Sequence, residues 1–234
     1  MLYIIQNDPE VPLGEYGRDL NGLGVTWRLF RPFLGEALPE LEAGSAVLVL
    51  GGAMGVHDLE EHPFLLTVKK FVHRVVEQDV PFLGICLGGQ LLADVMGGAV
   101  TGKCQGEKGS LPVMLTVEGL TDPLFAGVGE SFVTFQWHND TFATPPGGVR
   151  LADSPACRNQ AFRIGSWAYG LQFHPEVDGE IVAAWSRADS STSSESGELV
   201  ADFVAKLAPY RSASRRILEN FLNIAGLPFT PARS

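Results

Sequence analysis

Apolar and polar positions along the chain fall into two rhythms. Short, wholly apolar runs at Leu2–Ile5, Ala46–Leu50 and Val80–Ile85 have the length of parallel strands buried on both faces. Between the last two, Val68, Phe71, Val72, Val75 and Val76 recur at helical spacing, the stripe of a helix laid against a sheet. Pro81 stands at the start of the third run, where a missing N–H does least harm. This alternation predicts an α/β fold, a central and mostly parallel sheet flanked by helices on both faces. Leu111–Val117, Ser131–Gln136, Val149–Ala152, Cys157–Ile164 and Trp167–Phe173 then read as strands separated by Gly, Pro, Asn and Asp turns, so antiparallel or mixed strands extend the sheet. From about Val177 the pattern is helical, interrupted by Ser190–Ser196, which reads as a polar, exposed segment. No repeat or linker divides the sequence, which predicts one domain over residues 1–234 with a helical C-terminal tail.

Composition narrows the classes of function. With 45% hydrophobic and 19% charged residues, most of the 234-residue chain has the make-up of a globular protein rather than a disordered one. The formal charge of −10 comes without any Lys/Arg cluster, which argues against nucleic acid and anionic membranes as partners. No basic region precedes Leu2, and the longest apolar stretch, Ala46 to Val56, is too short and glycine-rich to span a bilayer; both predict a cytoplasmic protein. The three cysteines, Cys86, Cys104 and Cys157, are odd in number and widely spaced, neither a disulfide framework nor a zinc-ligand pattern. One of them is therefore a candidate reactive thiol, while Cys104 and Cys157 offer no readable role.

The candidate is Cys86. It stands between Gly84 and Gly88 at the end of the third buried run and just ahead of the helix-like Gly89–Val95, the spacing of a nucleophile elbow. Glycines two positions either side permit a tight turn and close backbone approach. A helix N-terminus beside the sulfur favours the thiolate. The same residue also reads as a buried structural cysteine. A thiolate nucleophile needs a base that can later protonate a leaving amine, and a group that orients the base. Of the five histidines, His73 lies in the Val68–Val76 helix as a surface residue, and His57 and His62 flank Asp58, Glu60 and Glu61 at a spacing that is a weak metal signal. His174 follows Gly170-Leu171-Gln172-Phe173, and Glu176 lies two residues on, across Pro175, close enough to fix the imidazole.

Gly84-Ile85-Cys86-Leu87-Gly88-Gly89-Gln90, followed by His174-Pro175-Glu176 and preceded by Gly51-Gly52-Ala53-Met54-Gly55, resembles the class I glutamine amidotransferases. The resemblance covers about residues 1–176 and implies a flavodoxin-like fold, a Cys86–His174–Glu176 triad, and no cofactor or metal. It also implies an oxyanion hole from the Gly52 and Leu87 N–H groups, and a glutamine contact at Gln90, which reads equally as a helix-capping polar residue. Phe135–Asp140 resembles a family loop bordering the substrate, placing His138, Asn139 and Asp140 there; a structural role for His138 fits as well. Asn139 stands where relatives have glycine, a position where Asn tolerates positive φ. Ala53 stands where they often have proline, which implies a loop freer to flip.

Asp122–Phe125 and Asn159–Phe162 resemble a stand-alone branch similar to the glutaminase half of GMP synthase. No P-loop pattern or second catalytic segment follows, so an ammonia-using synthase would be a separate subunit. Three readings stay open: a glutaminase that releases ammonia for an unknown acceptor, a hydrolase of γ-glutamyl amides or peptides using the same triad, and a non-catalytic binding or redox-sensing protein. Under the second, Asp58, Glu60 and Glu61 would draw a cationic leaving group, although a solvated loop explains them too.

Overall fold

The computed structural model describes residues 1–102 and 106–230; Cys104 lies outside the described residues. In chain order the first half contains β1 (Leu2–Ile5), α1 (Gly14–Gly22), β2 (Trp27–Phe30), β3 (Ala46–Val49), α2 (Phe64–Glu77), β4 (Phe82–Ile85) and α3 (Leu87–Val95). Next come β5 (Val100–Thr101), β6 (Glu107–Leu115), α4 (Val117–Thr121), β7 (Ser131–His138), β8 (Thr141–Phe142), β9 (Val149–Asp153), β10 (Ala161–Ile164) and β11 (Ala168–Leu171). Helices α5 (Gly179–Ala188), α6 (Ser196–Ala205) and α7 (Leu207–Ile224) follow.

Nine strands form one mixed sheet in the order β2-β1-β3-β4-β11-β10-β9-β6-β7. The segment from β2 to β11 is parallel, and the strands beyond β11 pair antiparallel, so the sheet has a parallel core and an antiparallel extension. Alternation along each core strand feeds two apolar layers. Leu2, Ile4 and Leu48 face α1 and α7 through Tyr16, Leu20, Ile217 and Phe221. Tyr3, Ile5, Val47 and Val49 face α2 and α3 through Val68, Val72, Leu91 and Leu92. Among the described residues no helix is long and apolar enough to cross a membrane.

Several boundaries differ from the sequence reading, each for a local reason. The strand expected to run to Val117 ends at Leu115, because the Thr116 side chain accepts the Gly119 N–H and caps α4. The strand expected from Cys157 begins only at Ala161: Ser154 N–H donates to the Cys157 carbonyl and Cys157 N–H to Ser154 Oγ, closing a turn. Ser190–Ser196 is not uniformly exposed. Thr192 and Ser196 are buried, with Thr192 Oγ1 donating to the Ser186 carbonyl and the Ser186 and Ser196 hydroxyls 2.7 Å apart. Strand β2 carries no wholly apolar run because it is the edge strand and only Phe30 is buried.

Candidate active site

Strands β4 and β11 are parallel neighbours, with Ile85 opposite Leu171, so the chain leaves both at the same edge of the sheet. Such carboxyl ends are where open α/β sheets bind ligands. Cys86 follows β4 directly, and its N–H donates to the Leu171 carbonyl at 2.8 Å. Its φ of 50° and ψ of −108° are those of a strained elbow, and α3 starts at the next residue. The flanking glycines are required by contact: a Cβ on Gly84 would lie 2.4 Å from the Gly88 carbonyl, and one on Gly88 would lie 2.2 Å from the Val49 carbonyl oxygen.

His174 stands three residues beyond the end of β11, at that same edge. Its N–H donates to the Phe135 carbonyl at 2.8 Å, and its ring packs edge-on against Trp185 with centroids 4.9 Å apart. Nδ1 lies 2.7 Å from Glu176 Oε1, and Cys86 is near enough to act on the ring electrostatically. All three side chains are buried. Burial lowers the His174 pKa, but the carboxylate of Glu176 and the charge of the nearby Cys86 outweigh it and push the value from 6.5 up to about 10. The imidazolium is thus the favoured form at neutral pH, beside both a carboxylate and a sulfur.

The backbone of this segment is clamped from the C-terminal helices. Tyr210 Oη donates to the His174 and Val177 carbonyls at 3.2 and 2.9 Å, and Ser214 Oγ donates to the Pro175 carbonyl. Glu15 N–H, at the start of α1, donates to the Glu176 carbonyl at 2.7 Å. The adjacent Gly14 has φ +53°, and a Cβ there would meet that same carbonyl oxygen at 2.3 Å.

Gly51 and Gly52 pass over the pair: a Cβ on Gly51 would lie 3.1 Å from His174 Cε1 and 3.5 Å from Cys86 Cβ. Ala53 does not leave this loop unanchored. Its N–H donates to Asp8 Oδ2 at 2.9 Å, a bond proline cannot make, and Asn7 Nδ2 donates to the Leu50 carbonyl at 2.8 Å. Gln6, Asn7 and Asp8 went unread in the sequence; the available signal was a polar run directly after a buried strand. Asn139 takes no positive φ, so no glycine-like conformation is needed at that position.

A cavity of about 580 Å³ opens here, lined by Cys86, His174, Gly52, Gln90, Trp137 and Trp185. His138, Asn139 and Asp140 also border it, whereas the Leu87 side chain is turned into the core. Asp58, Glu60 and Glu61 do not line it; the carboxylates that do are Asp8, Glu10, Asp140 and Asp189. The charge expected from the Val56–Pro63 loop is therefore supplied by other segments. Gln90 is buried, with Nε2 3.4 Å from Gln172 Oε1.

Gln172, not singled out from sequence, is fully buried and points Nε2 at Cys86 Sγ from 3.7 Å. An N–H donated to sulfur helps hold Sγ in one orientation. Gln172→Leu is expected to slow iodoacetamide alkylation of Cys86 by about 3- to 10-fold at pH 7, the scale of one hydrogen bond near 1 kcal/mol. Alkylation rates corrected with Cys86→Ala as the blank check this, and an unchanged rate removes the role.

A second buried, triad-like Cys–His–Glu group lies in the antiparallel extension, formed by Cys157, His138 and Glu107. Its residues come from three distant segments, so no sequence spacing announces it.

The chain matches the family model "Glutamine amidotransferase class-I" over residues 21–181. It is 32% identical over 173 residues to YfeJ of Salmonella typhimurium, named as glutamine amidotransferase-like, covering 72% of each chain. To the glutamine-hydrolysing GMP synthase subunit of Archaeoglobus fulgidus it is 39% identical over 183 residues, 75% of this chain and 88% of that one. A crystal structure of a glutamine amidotransferase from Thermotoga maritima superposes with TM-score 0.85 at 28% identity, covering 94% of this chain and 97% of the other.

Proposed function

The chain belongs to the class I glutamine amidotransferases, and from that premise we propose that Cys86, His174 and Glu176 hydrolyse the side-chain amide of glutamine. The observation that carries the reading is that Cys86 and His174 line one cavity while His174 Nδ1 is held by Glu176 Oε1 at 2.7 Å. Cys157 is fully buried and does not line that cavity, which favours the elbow group as the reacting one.

In this mechanism Cys86 Sγ adds to the amide carbon, and the carbonyl electrons move onto oxygen. The N–H groups of Gly52 and Leu87 receive that oxyanion, each donor contributing about 3 kcal/mol to the transition state. His174 passes its proton to the departing nitrogen, ammonia leaves, and a thioester remains. Neutral His174 then takes a proton from water, hydroxide adds to the thioester carbon, and the adduct expels sulfur as thiolate beside the restored imidazolium, the released glutamic acid giving its carboxyl proton to solvent. Glu176 holds Nδ1–H throughout and balances the imidazolium. Gln90, with Asn139 and Asp140, would face the amino-acid end of the substrate, the His138 ring being buried behind them with its nitrogens turned to the Asp140 carbonyl and Glu107.

The named relatives that are GMP synthase subunits support delivery of ammonia to a separate synthase chain, with the acceptor unidentified. A second reading has its own support. The cavity extends past Cys86 to Trp137, Trp185 and the Lys108–Asp189 ion pair, room that larger γ-glutamyl amides would fill. Ammonia or amine release from glutamine and from a panel of γ-glutamyl amides decides between them. Cys86→Ala is expected to lose activity by on the order of 10⁴-fold or more. Turnover that survives in Cys86→Ala overturns the mechanism, and turnover of γ-glutamyl amides without glutamine selects the second reading.

A further inference from the structure

We propose that Glu107, His138 and Cys157 bind one zinc ion, which ties together the strands beneath the cavity. Glu107 opens β6 and His138 closes β7, and the two are paired directly across the antiparallel ladder. Cys157 comes from the turn between β9 and β10. One ligand atom from each lies within 4.8 Å of the others, and all three residues are buried.

The histidine carries the argument. Its Nδ1 is 2.9 Å from the Asp140 carbonyl oxygen, which only accepts, so Nδ1 bears a proton and the matching neutral tautomer would present a lone pair at Nε2. The side chain is only 1% exposed, and among the described residues Nε2 has no hydrogen-bond partner. It faces Glu107 Oε2 at 3.6 Å. A buried lone pair aimed at a carboxylate is repulsive unless a cation or a proton lies between them. Zinc bond lengths to N, O and S give tetrahedral ligand edges of about 3.3–3.8 Å, so the His–Glu edge already fits and the widest edge must close by about 1 Å.

Outer partners hold the other ligands. Ser154 Oγ and Gln160 Nε2 donate to Glu107 Oε2, and the Thr141 hydroxyl lies 3.1 Å from Cys157 Sγ. Such second-shell bonds orient metal ligands. A sulfur, an imidazole and a carboxylate together suit zinc rather than magnesium or calcium. Cys86 and His174 are not in this group, so the proposal does not depend on the hydrolytic mechanism.

The test uses the full chain, stripped with a chelator and titrated with zinc, then with cobalt as a spectroscopic probe. One equivalent of either metal is expected. Cobalt should give tetrahedral d–d bands and a near-ultraviolet thiolate charge-transfer band that Cys86→Ala keeps and Cys157→Ser loses. Zinc should raise the melting temperature of the unsubstituted chain, an effect absent in Cys157→Ser. If Cys157→Ser does not fold, Glu107→Gln serves instead and should weaken zinc binding at least tenfold. Failure to hold an equivalent of zinc overturns the site, as does a charge-transfer band that survives in Cys157→Ser, equal zinc affinity in Glu107→Gln, or only adventitious, substoichiometric binding. In those cases a protonated imidazole resolves the repulsion.

Discussion

Glu176→Gln is expected to lower kcat/KM by about 10²- to 10⁴-fold at pH 7, while leaving the cavity and the Cys86 elbow in place. Glu176 is fully buried, and its Oε1 accepts the Nδ1 proton of His174 at 2.7 Å. Glutamine can keep that acceptor but not the negative charge. Without the charge, burial dominates and the ring reverts towards the neutral form, so it can no longer hold the proton that must pass to the leaving nitrogen. The same substitution should change how stability depends on pH. A raised His174 pKa contributes stability that is fully present below about pH 6.5 and is lost as pH rises through about 10. Urea midpoints of the two proteins should therefore differ most at pH 6 and converge near pH 10. Tyr16 and Tyr210, raised well above their ordinary value by burial and then by the Glu176 charge, stay protonated in the folded protein up to pH 10, so the comparison is confined to that range. Parallel curves across that range would show that Glu176 does not govern the charge of His174.

Gly88→Ala is expected to cost about 3 kcal/mol or more, or to abolish soluble expression. The new Cβ would sit 2.2 Å from the Val49 carbonyl oxygen and 2.9 Å from its carbon. Both belong to backbone at the centre of the sheet, with no flexible side chain to give way. Relief requires moving α3 off β3, which carries Leu87 and the elbow with it. Gly22→Ala is the control: at the end of α1 nothing lies within 4 Å of the added methyl, so its effect should be neutral or slightly stabilising. Melting temperatures and Cys86 alkylation of the two variants measure the contrast. Equal melting temperatures would mean that α3 packs with slack the geometry does not show.

The elbow was legible in the sequence because its requirements are local. A buried strand, glycines at fixed offsets and a helical stripe all fall within a dozen residues, and each has its own physical reason. His174-Pro175-Glu176 was legible for the same reason, since two residues of chain suffice to bring carboxylate to imidazole. Gln172 was not, because its value to Cys86 exists only once β4 and β11 lie side by side, and strand order leaves no local mark. Glu107, His138 and Cys157 meet through the β6–β7 register and a turn between β9 and β10, two facts that no single stretch contains. The misplaced strand ends have a different origin. Thr116 and Ser154 divert the backbone with one side-chain bond each, and such bonds compete with the apolar rhythm that predicts strands.

The clamp on residues 174–177 sets an order for how the enzyme comes into being on the ribosome. Cys86 and its helix are synthesised early, but Tyr210 and Ser214, which hold the carbonyls around His174, emerge much later. Until α7 has left the exit tunnel and docked, the carbonyls of His174, Pro175 and Val177 lack the hydroxyls that hold them.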